Sequence, residues 1–178
     1  MKKIILIVAL LFDGTFFSKA KAQDATLTVS LAALQSIKLN TAAININFLT
    51  ESDYANGKSS GVIVDQIEVV STGLFTVSVM ASGPLSAGDP TMDIPLTALN
   101  LTPTLASSSS TMNKQVYTTI AGALDKGVPK AFIKTSSGTF NAKFSVNYGV
   151  TAGTGSVNLL NRPVGDYTTT ITYTISPD

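Results

Sequence analysis

The chain has 178 residues, with 12 lysines and arginines against 11 aspartates and glutamates, and contains no cysteine, histidine or tryptophan. This near-neutral balance offers no long-range attraction for nucleic acid or anionic lipid. The missing residue types exclude Ser-His and Cys-His nucleophile pairs, thiolate chemistry and ordinary zinc sites.

The first residues read as a secretory signal. Lys2 and Lys3 precede an apolar run over residues 4–12, and Ala20, Lys21 and Ala22 match a small-x-small cleavage site. The run is too short to span a bilayer, which needs about 20 residues. Residues 1–22 are therefore expected to be removed, leaving residues 23–178 as a single domain with no membrane insertion. Removal would take away Lys2, Lys3, Lys19, Lys21 and Asp13, leaving eight basic and ten acidic residues. A domain of about 150 residues buries roughly 70% of its unfolded surface, so the lack of disulfides is compatible with export.

Along the chain, period-two alternation dominates. Residues 25–31 place Leu27, Val29 and Leu31 on one face and Thr26, Thr28 and Ser30 on the other. Ile37 and Leu39 resume this pattern, and Ile44, Ile46 and Phe48 alternate with Asn45 and Asn47. Residues 51–61 read as a loop around the Asn56–Gly57 turn signal. Residues 62–70 read as a strand of unclear phase, buried on both faces or bulged. Phe75, Val77, Val79 and Ala81 form the inward face of the next strand. Ile94, Pro95 and Leu96 fit only an edge or extended segment, because proline donates no ladder bond. Short strands are expected around Leu99, Leu101 and Leu105, and over residues 115–120, 131–134 and 157–160. Phe140, Ala142, Phe144, Val146 and Tyr148 alternate with polar residues. In residues 167–175, Tyr167, Thr169, Ile171, Tyr173 and Ile175 share one face, and threonines alone occupy the other. No helical period extends over three turns. The pattern predicts an all-β sandwich of roughly 7–10 strands.

Motifs for chemistry are sparse. Residues 57–61 match G-x-S-x-G, but a nucleophile elbow needs a following helix and a histidine base. Gly57, Lys58 and Ser59 resemble the tail of a phosphate loop, but Ser52 stands where its first glycine belongs. Glu51 with Asp53, and Asp89 with Asp93, read as solvated turn acids rather than a calcium loop. No catalytic, cofactor or metal-binding residue is assigned, and the chain is not expected to be an enzyme. Tyr54, the one aromatic placed in a loop, is the candidate contact for a glycan or host surface. That contact would make the protein a monomeric binding module.

Residues 25–31 (ATLTVSL) followed by residues 37–48, with residues 163–175 (PVGDYTTTITYTI) at the other end, resemble a family of bacterial surface β-sandwich domains. The stretch Asp53, Tyr54, Asn56 and Gly57 also looks like a turn of that family. The family is similar to spore coat protein U domains and, more distantly, to chaperone–usher pilins. Val164 replaces the usual alanine, and the cysteine pair of pilins is missing. The resemblance implies an immunoglobulin-like, pilin-like sandwich in the periplasm or on the bacterial surface. It also implies a structural or adhesive role, such as that of a fimbria-like filament subunit. In pilins the closing strand lacks a neighbour, and the N-terminal strand of the next subunit fills the gap. The implied assembly residues are Leu27, Val29 and Leu31 on the donor and Ile171, Tyr173 and Ile175 on the acceptor. Implied partners are further copies of the chain, other surface subunits and a periplasmic chaperone. The same alternation equally fits pairing of residues 25–31 within their own domain.

Overall fold

The computed structural model describes residues 25–107, 117–119, 121–152 and 158–178. The expected signal sequence and parts of the strands expected over 115–120 and 157–160 lie outside these residues. Ala32–Asp178 form one compact unit, and residues 25–31 belong to the unit before it.

In chain order the larger unit contains β1 (Gln35–Leu39), α1 (Glu51–Asn56), β2 (Lys58–Ser71), β3 (Phe75–Ala81) and β4 (Leu99–Leu105). It continues with β5 (Tyr117–Thr119), β6 (Gly122–Ala123), β7 (Lys130–Thr135), β8 (Thr139–Val150) and β9 (Ile171–Pro177). The strands form two sheets, ordered β1-β2-β8-β4-β6 and β5-β7-β3-β9. Every ladder between named strands is antiparallel. The protein is an all-β sandwich.

One apolar cluster holds the two sheets together. Ile67 and Val69 of β2, Leu101 of β4, and Phe144 and Val146 of β8 join Phe75 and Val77 of β3 and Phe132 of β7. The Tyr117 ring meets Phe144 edge-on across the sheets, with centroids 5.2 Å apart. The inward face expected for β3 is buried throughout.

Two strands change phase, and the backbone shows why. In β8, Ala142, Phe144, Val146 and Tyr148 are buried as their alternation predicts, but Phe140 is 61% exposed. Asn141 adopts φ 61, which shifts the strand's facing and turns Phe140 outward. In β2 the pairing with β8 slips between Ser59 and Val62 and again between Ile63 and Ile67, where Asp65 has φ 55. These bulges explain why neither parity of residues 62–70 is purely apolar.

Several expected elements differ. Residues 25–31 carry no strand, and Leu27, Val29 and Leu31 are 87%, 72% and 93% exposed. Ile44, Ile46 and Phe48 keep their alternation and pack against the core, but no strand forms over residues 44–48. The expected loop over 51–61 contains α1 and the start of β2. Thr50 caps α1 by accepting from Asp53 N, while the Asp53 carboxylate accepts from Thr50 N, a reciprocal pair that satisfies two orphan helix donors. Residues 158–160 form no strand, and β6 lies within a stretch expected to be loop. Ile94 makes an isolated bridge with Leu85, and Leu96–Ala98 form a single 3-10 turn. Pro103 sits within β4 opposite Val146. Its nitrogen points away from β8, so the β4–β8 ladder loses no bond.

Candidate functional site

The sequence-marked residues Ile171, Tyr173 and Ile175 all lie on β9, the outermost strand of the second sheet. β9 pairs with β3 from Ile171 opposite Ala81 to Pro177 opposite Phe75. Just beyond this ladder, Ser82 N donates to Thr170 O at 2.9 Å and Asp178 N donates to Leu74 O at 3.3 Å. Hydrogen-bonded pairs alternate along an antiparallel ladder, so the even-numbered residues of β9 bond to β3. The N–H and C=O groups of Ile171, Tyr173 and Ile175 therefore point out of the sheet. Within the described part of Ala32–Asp178 they have no backbone partner. Their side chains are half-buried against the core, while Thr172 and Thr174 face solvent.

β1 presents a matching edge. Thr72 N donates to Leu34 O at 2.9 Å, and Asn40 N donates to Gln66 O at 3.0 Å. The same alternation turns the backbone groups of Gln35, Ile37 and Leu39 away from β2. Cα atoms of β1 and β9 come within 8 Å of each other. A strand bonded to both edges needs about 9.5 Å, two strand spacings. At this approach the gap is too narrow for one strand to bond to both edges.

Behind the edge lies a buried polar cluster that the sequence did not flag. Tyr148 and Tyr173 share a hydroxyl–hydroxyl bond of 2.8 Å that joins the two sheets. Gln66, only 1% exposed, donates from Nε2 to the Tyr148 hydroxyl and to Thr41 O, and accepts Thr41 N at Oε1. Burial pushes the Tyr173 hydroxyl far above its ordinary value of 10.0, and the neighbouring Tyr148 hydroxyl adds to the rise. Burial also pushes Tyr148 up, opposed by its bonds to Tyr173 and Gln66. Because both pKa values are higher in the folded state, the native protein holds these protons more tightly than the unfolded chain. The resulting stability is complete below about pH 10 and is lost progressively above it. Denaturant midpoints measured from pH 8 to 11.5 should fall above about pH 10. The fall should be shallower in Tyr173→Phe.

Tyr54 lies on α1, half-buried, with its ring 5.4 Å from that of Phe48. It is thus packed on a helix rather than displayed on a loop. Leu27, Val29 and Leu31 lie outside the sandwich unit and form no strand. Among the described residues, no group of three Asp, Glu, His or Cys converges to hold a metal, and no helix is long and apolar enough to cross a membrane. Asp89 is used locally, accepting from Thr91 N and Oγ1. No protein-family model matches the chain, and no curated protein matches it either.

Proposed function

We propose that this protein is an exported, non-catalytic structural subunit of a bacterial surface assembly. Residues 25–31 of one copy add as a strand to the β9 edge of the next. The supporting observation is that edge: three outward backbone positions at alternate residues, whose side chains pack against the core and stay partly exposed. Added strands bind through main-chain bonds, and alternate side chains fill the pockets beside them. Leu27, Val29 and Leu31 have the required spacing and are exposed. A head-to-tail contact of this kind does not close on itself and extends into a fibre.

The test uses residues 23–178 and compares Val29→Asp with Thr28→Asp. The first variant puts a charge on the apolar face of the donor, and the second puts one on the opposite face. Wild type and Thr28→Asp should form a ladder of oligomers in sizing and mild-denaturant gels, and Val29→Asp should remain monomeric with an unchanged thermal midpoint. Monomeric wild type at every concentration, or a ladder in Val29→Asp, would defeat the proposal.

A further inference from the structure

The outer face of the first sheet contains a depression of about 330 Å³ whose lining includes Gly149 of β8. Gly149 lies between Ser59 of β2 and Asn100 of β4 in the paired strands. Asn147 and Thr102, also paired, form the adjacent row. Asn56 and Lys58 line the depression where α1 runs into β2.

The backbone does not require glycine at position 149. Its φ lies outside the left-handed region, and an added Cβ would meet Asn100 O at 3.7 Å and Ser59 Cβ at 3.9 Å, ordinary contacts. A glycine inside a strand weakens it, and often marks a place where a ligand or another backbone comes close. Among the described residues no other backbone occupies that space, since the nearest atoms to an added Cβ are those of the two flanking strands.

The lining selects the ligand class. Lys58 Nζ is already paired with Asp53 Oδ2 at 2.9 Å, so little positive charge remains for a phosphate. Among the described residues, no carboxylate lines the depression to attract a cation, and no aromatic ring lines it to stack on a flat ligand. β2, β8 and β4 bond to one another, so their backbones are not free to add a peptide strand. What remains are carboxamides and hydroxyls, which both donate and accept, as sugar hydroxyls do. Asn147 Oδ1 is sealed from solvent and has no donor among the described residues. An unmet acceptor of this kind is costly, and a small turn of the amide toward an incoming hydroxyl satisfies it.

We propose that this depression binds one neutral sugar ring of a glycan, held by Asn100, Asn147, Ser59 and Thr102. The site is on the sheet opposite β9 and does not depend on strand donation. The test titrates ¹⁵N-labelled protein with glucose, galactose, mannose and N-acetylglucosamine. At least one sugar should shift the amides of Ser59, Asn100, Asn147 and Gly149, and the shifts should vanish in both Gly149→Val and Asn100→Ala. Gly149→Val should also raise the thermal midpoint by about 2–4 °C, because a β-branched residue replaces a strand glycine. Its oligomer ladder should match wild type. Three results would overturn the proposal: no shift at these amides with any of the sugars, shifts that survive in Gly149→Val, or a lowered midpoint showing that the glycine is structural.

Discussion

Replacing Gln66 by leucine should lower the unfolding free energy by about 2–5 kcal/mol, because buried polar groups left without partners cost about 1–3 kcal/mol each. Leucine keeps most of the volume and leaves the backbone bond from Asn40 N to Gln66 O intact. It removes the acceptor for Thr41 N at 3.2 Å and the donor to Thr41 O at 2.7 Å. It also removes the donor to the Tyr148 hydroxyl at 3.3 Å. Thr41 is half-buried, so water replaces part of the loss, which sets the lower bound. Tyr173→Phe removes only the bond between the two hydroxyls and should cost about 1 kcal/mol. Urea midpoints at neutral pH, compared at equal denaturant slope, separate the two variants. Equal losses would show that Gln66 is not the hub. The effect bears on assembly, because the residues tethered by Gln66 lead into the Ile44–Phe48 stretch that packs against the core, and Tyr173 is itself on the open edge.

Legibility along this chain follows the range of the interactions. β3 and β9 could be read because burial of one face imposes period two on the residues themselves. β2 resisted reading because Asp65 bulges the strand, so its inward set switches parity midway. The Thr50–Asp53 cap was visible in principle as a capping-box pattern, with aspartate in place of the usual glutamate. Alternation in residues 25–31 and 44–48 showed that these stretches can lie half-buried. It could not show whether a strand runs beside them, since that depends on residues far along the chain. The open edge of β9 was implied by the family resemblance and not by the alternation, which does not record which side of a strand lacks a neighbour. The Gly149 depression was not legible, because its walls come from β2 and β4 and meet only in the folded sheet. Gln66 was missed because a single glutamine in an apolar run gives no periodic signal.

Gly57→Ala should cost about 2–6 kcal/mol, from roughly 1–3 kcal/mol of backbone strain and a similar overpacking penalty. Gly57 joins α1 to β2 with φ 80 and ψ 172, a region essentially reserved for glycine. An added Cβ would stand 2.5 Å from Val150 O and 3.0 Å from Thr151 Cα, both backbone atoms that cannot rotate aside. Relief requires the end of β8 to part from α1, which is held to the Gly57 amide through Asp53 O at 2.9 Å. Asp53 also anchors this corner as a carboxylate. The Leu49 N–H first, and the Lys58 ammonium next, hold its pKa well below the usual range. Gly61 is the natural control, with a similar φ of 73 and open space around its Cα. Gly61→Ala should therefore cost only about 1 kcal/mol, the conformational part alone. Thermal and urea unfolding of the two variants would divide strain from collision, and equal losses would mean that the approach of Gly57 to β8 carries no weight.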